Sequence, residues 1–498
     1  MDLAQLSADL GHFLPELMLT ALILLVTLYD LFLKPEHSGR AGTLALAGLL
    51  LLLPALALAD LSLPRGLFAN MLAFDGFGYF FRWVVTIGAI LVIWISLNSE
   101  ELRNRKMGEY YILILILVLG MYFLVSATHL LSIYISLEMV SLMSFLLAGY
   151  LKENMRSNES SVKYVIYGAF SSGILLYGFS LLYGLTGTGD IVGIQIMLAN
   201  SPISPALMIL IFVLVMVGFG YKIAAVPFHF WTPDVYEGAP TPITAFLSVA
   251  PKAAGFAVLI RFLNLTFTGE GNPNLLEWSA LNTLDWPLIL AVLSAITMTV
   301  GNVIAIQQAN IKRMLAYSSI AHAGYMLMGL VVADQTGLAA VMYYAAIYLL
   351  MNLGAFFVAI HIKNAYDTEI IEEYAGLGYR APLLGVVMAI FMFSLTGIPP
   401  TGGFVAKFYL FRALIEYGDS FFWLAVMGLI NGVIALYYYM RVVKAMYLTK
   451  IHLPEKTDAL PWNLTLLFIV LAVPLVFGWM FGDPLADLSQ AALQFFVQ

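Results

Sequence analysis

Three lysines and one glutamate lie in the middle of long hydrophobic segments of this sequence. Glu138 occurs in HLLSIYISLEMVSL (129–142), Lys222 in GFGYKIAAVPFHFW (218–231), Lys252 in SVAPKAAGF (248–256) and Lys407 in GFVAK (403–407). A charged side chain at the centre of a bilayer costs roughly 3 kcal/mol or more, so it needs a partner or a function. A lysine whose acidic partner changes can take up and release a proton. These four residues are therefore predicted to transfer protons, with Glu138 and Lys222 as an ion pair.

Each of these residues also has a structural interpretation, which the sequence leaves open. A buried glutamate can remain protonated or can hydrogen-bond to a neighbouring helix. A buried lysine can extend to the membrane surface or bind the carbonyl end of a broken helix. Three lysines at central depth are harder to explain in this way, which favours the functional interpretation.

Further residues are weaker candidates for a proton path. His229, in PFHFW, suits either proton relay or packing at a helix end. Ser318 and His322, one helical turn apart in YSSIAHAGY, suit a water chain or hydrogen bonds between helices. Lys163 and Glu109 lie near the ends of hydrophobic segments, where solvation is easier.

The sequence says less about the partners and locations of other polar and aromatic residues. No partner is assigned to Glu16 or to Arg82. The tyrosines at 437–439, beside Arg441, are typical of anchors at the membrane interface.

The composition is that of an integral membrane protein. Of the 498 residues, 61% are hydrophobic and only 11% are charged, which predicts an all-α polytopic fold. The absence of cysteine excludes iron–sulfur clusters, thiolate metal sites and disulfides. No Gly-rich phosphate loop follows a strand pattern, and a net charge of −7 without basic patches argues against nucleic-acid binding. Because the N-terminus lacks a basic start, its first hydrophobic segment is expected to be retained as a span.

About fourteen apolar segments of about 20 residues predict as many transmembrane helices. Basic residues concentrate in alternate loops, which predicts that both termini lie on the non-cytoplasmic side. The seventh span (Pro205–Trp231) and the twelfth (Leu383–Leu414) are over-long and interrupted, by GFG at 218–220 with Pro227 and by GIPPTGG at 397–403. Broken helices at membrane depth line cavities and mark ion pathways in transporters.

The two interrupted spans occupy the same place in two blocks of five spans. Both contain Gly-Phe-x-x-Lys, which ends at Lys222 and at Lys407. Because five is odd, the second block is predicted to be inverted relative to the first, as in many transporters. The predicted organisation is a single membrane domain with an N-terminal part (1–108), a first repeat (109–265), a second repeat (286–448) and a last span (460–498).

Three stretches of the sequence carry a resemblance to a known family: GFGYKIAAVPFHFWTPDVYEGAPTPITAFLSVAPKA (218–253), NIKRMLAYSSIAHAGYMLMG (310–329) and LTGIPPTGGFVAKFYLF (395–411). They resemble the antiporter-like subunits of respiratory complex I, the NADH:quinone oxidoreductase, and the resemblance extends over essentially the whole chain. Within that family the chain is most similar to the subunit N branch, which is equivalent to mitochondrial subunit 2. Lys407 stands where M-type subunits have a glutamate, and the chain ends soon after its last span, without the lateral helix of subunit L.

The resemblance implies a proton-translocating subunit of the membrane arm. In the family, the positions of Glu138, Lys222, Lys252 and Lys407 form a hydrophilic axis. The positions of Glu109, Lys163 and His229 are secondary members of that axis. The resemblance further implies a translocase subunit without a redox centre, in a bacterial inner membrane. NAD, FMN, iron–sulfur clusters and quinone are then expected in partner subunits, and the membrane neighbours are expected to be M-type, K-type and J-type subunits besides lipids.

Other functions remain open from the sequence. A subunit of a multisubunit cation/proton antiporter or of a membrane-bound hydrogenase shares the repeat and the lysines. A membrane enzyme such as a lipid-linked transferase would need an acidic or histidine-rich loop, and the sequence has no such cluster. A purely structural subunit keeps the fold but gives the lysines no role.

Overall fold

The computed structural model describes residues 3–34, 37–103, 106–200, 203–268, 284–332, 334–449, 460–478, 480 and 482–493. The helices up to the end of the predicted first repeat are α1 (Leu3–His12), α2 (Leu14–Phe32), α3 (Gly39–Ala57), α4 (Gly76–Ser96), α5 (Met107–Ser126), α6 (Leu130–Ala148), α7 (Met155–Thr186), α8 (Ile191–Asn200), α9 (Pro205–Ile223), α10 (Trp231–Gly238) and α11 (Thr241–Thr266). The later helices are α12 (Trp286–Ala305), α13 (Ile311–Val331), α14 (Gln335–Tyr366), α15 (Leu377–Arg380), α16 (Pro382–Thr396), α17 (Gly402–Tyr417), α18 (Phe422–Leu448), α19 (Trp462–Val476) and α20 (Gly482–Ala491). A small antiparallel hairpin pairs β1 (Arg65–Leu67) with β2 (Leu72–Phe74).

The predicted transmembrane segments are helical. Twelve of the described helices are long and apolar enough to cross a membrane. The twelfth predicted span is divided between the shorter helices α16 and α17, and the fourteenth corresponds to the shorter helix α19. The predicted all-α membrane fold is therefore confirmed, with the hairpin as a small addition.

Both interrupted spans break at a residue in the left-handed conformation. The backbone of Ala224 ends α9 with a φ of 60°, and that of Gly397 ends α16 with a φ of 85°. Such a residue satisfies the last carbonyls of a helix and turns the chain away from its axis. Pro227 and Pro400 follow three residues later, where a proline cannot donate to a continued helix. The two breaks thus have the same local structure, in which a left-handed residue ends the helix and a proline follows three residues later.

The position of the first break differs from the prediction. GFG at 218–220 is helical, and the interruption covers 224–230. A Cβ at Gly218 would lie 2.6 Å from Leu175 of α7, so this glycine provides close helix packing. Lys222 therefore precedes its break, whereas Lys407 follows the break before α17. The shared Gly-Phe-x-x-Lys does not mark equivalent positions, and the repeat boundaries remain a prediction.

The two most deeply buried of the candidate spans, α11 and α13, carry polar residues. α11 is buried along its whole length, and nearly all of α13 is buried. The helices α7 and α18 instead expose a large part of their surfaces. Side chains of α11 and α13 are therefore surrounded by protein, where charged groups can find partners.

Two buried arginine pairs connect α2 to α4 and the start of α4 to α11. Arg82 of α4 binds Glu16 of α2 at 2.6 Å and also donates to Ser126 Oγ at 2.8 Å. Arg261 of α11 binds both oxygens of Asp75, at 2.6 and 2.9 Å. Breaking a buried pair by removal of one partner costs about 3–5 kcal/mol. Glu16 and Arg82, to which the sequence assigned no partner, are therefore partners of each other.

Candidate functional site

Lys222 lies in the last turn of α9, and its side chain is almost fully buried. Its ammonium group donates to Ser141 Oγ of α6 at 3.3 Å. Glu138 lies one helical turn before Ser141 on the same helix. The predicted direct ion pair is nevertheless wrong, because no described pair joins Glu138 to a basic residue within 4.0 Å. The Lys222 ammonium group contacts the Ser141 hydroxyl instead of the predicted Glu138 carboxylate.

Glu138 lies on the outer face of α6. The side chain is half-buried, in line with exposed residues spaced by three or four positions along the same helix: Leu131, Ile135, Leu142 and Leu146. This spacing places all of them on one face of the helix. We call this face the Glu138 stripe.

Lys252 lies near the middle of α11 and is only 1% exposed. Its ammonium group donates to the backbone oxygen of Ser319 in α13 at 3.1 Å and also to the Ser319 hydroxyl. The ring centroid of Tyr236 lies 5.8 Å away, within the range of a cation–π interaction. No carboxylate of the described residues forms an ion pair with Lys252.

Lys222 and Lys252 are linked through the surface of α11. A Cβ at Gly255 would lie 3.2 Å from Cγ of Lys222, so the stem of Lys222 packs directly on this glycine. Gly255 is three residues from Lys252, so the stem of Lys222 contacts α11 about one helical turn from Lys252.

Lys407 lies in the second turn of α17 and binds the end of the other half of its broken span. The ammonium group donates to the carbonyl of Thr396 at 2.8 Å and to that of Leu395 at 3.2 Å. These are the last carbonyls of α16, where a helix has unsatisfied acceptors and the negative end of its dipole. The ring of Tyr325 lies 4.5 Å from the same nitrogen. Dipoles and a ring face, instead of a carboxylate, therefore stabilise the positive charge.

A hydrogen-bonded group of four residues, which we call the His322 cluster, lies between Lys252 and Lys407. His322 Nδ1 is 2.5 Å from the Tyr344 hydroxyl, and Nε2 is 3.0 Å from the Tyr439 hydroxyl. The Tyr439 hydroxyl also hydrogen-bonds to Ser318. Ser318 adjoins Ser319, the partner of Lys252, and Tyr325 covers Lys407 one turn beyond His322.

For Tyr439, one member of the His322 cluster, the location predicted from the sequence is wrong. The tyrosines at 437–439 were predicted to be interface anchors, and only Tyr437 is exposed, by 63%. Tyr438 and Tyr439 are fully buried. Asn431 and Tyr438, which are seven positions apart, lie on the buried face of α18. The polar residue Asn431, on the same helix face as Tyr438, is the signal that could have identified this face as buried.

The weaker candidates divide into two groups. Ser318 and His322 join the cluster, whereas Glu109 is exposed at the start of α5. Lys163 is 38% exposed and pairs with Asp234 at 2.6 Å and with Glu159 at 2.7 Å. It belongs to a surface network and does not contact the buried lysines.

His229 and Asp234 flank the start of the short helix α10. His229 is buried in the connection before α10, and its Nδ1 has no hydrogen-bond partner among the described residues. Partial burial alone would raise the pKa of Asp234, but hydrogen bonds and charge from Lys163 and Arg313 lower it. Asp234 is therefore an ionised anchor at the end of the bundle.

The buried polar groups form a row that involves seven helices. In order they are Glu138, Ser141, Lys222, Lys252, the His322 cluster and Lys407. Hydroxyl and imidazole groups both donate and accept protons, so they suit relay between amines. No group of metal-ligating side chains occurs in the described part of the chain.

The broken helices and the buried lysines define an antiporter-like membrane subunit. A family profile described as the transmembrane region of NADH:quinone oxidoreductase and Mrp antiporter proteins matches residues 127–435. The chain is 43% identical to NADH-quinone oxidoreductase subunit N 2 of Chloroherpeton thalassium, over 98% of this chain and 95% of that protein. The chain belongs to the NADH-quinone oxidoreductase subunit N family.

Solved structures extend the comparison to three dimensions. A chain of respiratory complex I from Thermus thermophilus, solved with bound aureothin, is 32% identical with a TM-score of 0.77, over 96% of this chain and 99% of that chain. A chain of the Mrp complex from Dietzia sp. DQ12-45-1b has a TM-score of 0.77 at 19% identity, over 99% of this chain and 97% of that chain. The second likeness is one of fold alone.

Proposed function

We propose that this chain translocates protons as a membrane subunit of NADH-quinone oxidoreductase, with Glu138, Lys222, Lys252 and Lys407 as the proton-carrying groups. The observation that carries the proposal is the row of three enclosed ammonium groups connected through Ser141, Gly255 and the His322 cluster. A buried lysine with a purely structural role is stabilised by a carboxylate partner or, as Lys407 also is, by the carbonyl end of a helix; Lys222 and Lys252 have neither a carboxylate partner nor a helix end among their described contacts. Here the described contacts of the lysines are hydroxyls, carbonyls and ring faces.

Proton transfer along the row starts from the charge of Glu138. While Glu138 is ionised, it stabilises the protonated form of Lys222 through space. When a rearrangement in a partner subunit neutralises Glu138, Lys222 gives its proton to the neutral amine of Lys252. A change of only about 1.4 kcal/mol in this interaction alters the protonation equilibrium tenfold.

The second half of the transfer passes through hydroxyl groups and a histidine. Lys252 donates to Ser319, and the neighbouring His322 cluster carries the proton towards Lys407. Lys407 then releases a proton to the outer side and is left as a neutral amine, ready for the next transfer. When Glu138 becomes ionised again, Lys222 takes up a proton from the cytoplasmic side, so one proton enters the row and one leaves it in each cycle.

The exposed Glu138 stripe suggests which surface meets a partner. A carboxylate that faces lipid in the middle of a membrane is costly, so a neighbouring subunit is expected to cover it. We assign this face to small membrane subunits of the K and J types. At the other end of the row, a cavity of about 650 Å³ between α17 and α18 reaches Lys407, and we assign that end to an M-type neighbour.

The remaining assignments follow from the same proposal. The protein is a translocase subunit without a redox centre, and NAD, FMN, iron–sulfur clusters and quinone bind to partner subunits. It resides in a bacterial inner membrane with both termini on the non-cytoplasmic side. The basic network that includes Lys163 and Arg313 then faces the cytoplasm, where positive loops are retained. Residues 109–265 and 286–448 act as inverted repeats around the row.

The test is proton pumping by the purified complex in liposomes. Lys222→Ala is expected to lower the number of protons pumped per electron and the coupled quinone reductase rate, with assembly retained. Lys152→Ala removes an exposed lysine and is the matched control. Wild-type stoichiometry in assembled Lys222→Ala complexes would defeat the proposal.

A further inference from the structure

A groove runs along the surface between α2 and α3, far in the sequence from the buried lysines. Its apolar part is a cavity of about 450 Å³, lined on α2 by residues between Met18 and Leu25 and on α3 by residues between Leu44 and Leu52. A second cavity of about 540 Å³ is also lined by Leu25 and Leu44. The two cavities therefore form one continuous groove, which we call the α2–α3 groove.

The α2–α3 groove opens away from the bundle. Leu25 is 51% exposed and Leu51 is 70% exposed, although both line the apolar part. Among the twelve candidate spans of the described chain, α2 is the least buried. The groove thus offers an apolar surface that no described part of the chain covers.

The apolar part of the groove is too narrow to hold another helix. Its lining from Leu44 to Leu52 extends over roughly 12 Å of helix axis. A volume of about 450 Å³ over that length gives a mean cross-section of roughly 40 Å², about half that of an α-helix about 10 Å across. A single hydrocarbon chain fits this space, whereas a helix could only lie across its rim.

A cationic group lies at one end of the groove. Arg40 lines the second cavity together with Tyr29 and Thr43. It belongs to the first turn of α3, a helix of 19 residues that is long enough to cross a membrane, so its guanidinium group is at the level of the lipid headgroups. Arg40 is exposed and forms no ion pair with another described residue. The acidic neighbour of Tyr29, Asp30, is directed at Gly108 of α5.

An apolar groove that ends at a guanidinium group matches an amphiphile with a negative head. Guanidinium groups bind phosphate through two parallel hydrogen bonds. Tyrosine favours the membrane interface, where its hydroxyl can donate to a phosphate oxygen. Basic residues at the membrane surface also attract anionic lipids. The charge and the shape of the groove therefore select the same kind of molecule.

We propose that the α2–α3 groove binds one anionic phospholipid, with an acyl chain in the apolar part and the phosphate on Arg40. The lipid fills a surface that the protein leaves open and holds α2 and α3 together at their connected ends. The inference does not depend on the proposed function, because neither helix contributes a residue to the row of proton-carrying groups.

The experiment is photolabelling of the purified complex in phosphatidylcholine liposomes. The probe is phosphatidylglycerol with a photoreactive group on its acyl chain, and labelled peptides are located by mass spectrometry. Label is expected on α2 and α3. Arg40→Gln should lower that label about fivefold, and Arg40→Lys should retain most of it. Lys152→Gln removes an exposed positive charge outside the groove and is the matched control, with wild-type labelling expected.

Filling the groove provides an independent arm of the experiment. Ala47→Phe places a ring in the apolar part and is expected to lower the label on α2 and α3 severalfold. Leu50→Phe changes a residue of α3 that is 49% exposed and lies outside the lining, so it should keep the wild-type label. The same photoreactive chain on phosphatidylcholine, used in equal amount, should label the groove severalfold less because its head has no net charge.

Three results would overturn the proposal. Equal labelling of wild type and Arg40→Gln would remove the role of the guanidinium group, and equal labelling by the two headgroups would remove the preference for an anionic lipid. Absence of label from α2 and α3 in the assembled complex would show that another subunit covers the groove. None of these results bears on proton transfer, which is tested by the pumping of Lys222→Ala.

Discussion

The stem of Lys222 packs against Gly255, one helical turn from Lys252. This contact joins the broken span to the fully enclosed helix α11. It also explains why position 255 is a glycine, since a Cβ there would lie 3.2 Å from both Lys222 Cγ and Ile223 Cγ2. The spacing of the two lysines is thus set by backbone packing and not by an ion pair.

Enlarging Gly255 is expected to disturb the row without changing any charge. Gly255→Ala requires a small shift of Lys222, and Gly255→Val adds crowding that costs about 1–3 kcal/mol in a packed core. Protons pumped per electron should fall in the order wild type, alanine, valine. Gly184→Ala, at a position in α7 with open space around it, is the control. Unchanged pumping in both Gly255 variants would show that the contact has no part in transfer.

Removing the Tyr439 hydroxyl should slow transfer between Lys252 and Lys407. Tyr439→Phe keeps the ring but deletes the group that bonds to Ser318 and His322. The loss of a hydrogen bond of this type costs about 0.5–1.5 kcal/mol in stability, so folding is expected to survive. The measurement is coupled quinone reductase turnover in H₂O and D₂O, where a larger solvent isotope effect is expected than in wild type. Tyr437→Phe changes an exposed ring and should behave as wild type.

Loss of the Asp75 charge should destabilise the protein. Asp75→Asn retains an acceptor for the backbone N–H of Gly78 but leaves the buried Arg261 guanidinium without a counter-charge. The cost is expected to be about 3–5 kcal/mol, seen as a lower midpoint of thermal unfolding. The comparison is Glu416→Gln, which removes the exposed pair with Arg412 and should cost at most about 1 kcal/mol. Equal midpoints for the two variants would contradict this account.

The ion pairs of Glu369 should make stability sensitive to acid. Burial opposes ionisation, yet the ammonium groups of Lys312 and Lys363 lower the pKa of Glu369 from 4.5 to about 2. A carboxyl with a lowered pKa stabilises the fold above its unfolded pKa and loses that contribution as the pH falls from 4.5 towards about 2. The unfolding midpoint should therefore fall less steeply with acid in Glu369→Gln than in wild type. Glu372→Gln, at an exposed position, should keep the wild-type slope.

The residue types of the site could be predicted from the sequence, but their contacts could not. A charge inside an apolar segment is visible in one dimension, so Lys222, Lys252 and Lys407 were found. The partner of Lys222 depends on the rotation of α6, which brings Ser141 and not Glu138 within hydrogen-bond distance of the ammonium group. Packing between helices sets that rotation, and the local amino-acid composition does not reveal it.

The same limit applies to the break and to the tyrosines. Glycines in GFG indicate a helix break as readily as close helix packing, and contact with α7 decides in favour of packing. Tyrosines beside Arg441 suit a membrane interface equally well by composition, although Tyr439 is buried. By contrast, the all-α membrane fold depends mainly on apolar length and was predicted correctly, with twelve described helices long and apolar enough to span a membrane against about fourteen predicted spans.

The complete enclosure of α11 has a consequence for biogenesis. This helix is synthesised before α13 and α14, yet it relies on them to surround Lys252. Until α13 and α14 leave the ribosome, α11 must face lipid, a chaperone or the insertion machinery with a charged residue uncovered. Chains truncated after α11 should therefore fail quality control in the membrane, even though α11 itself is complete.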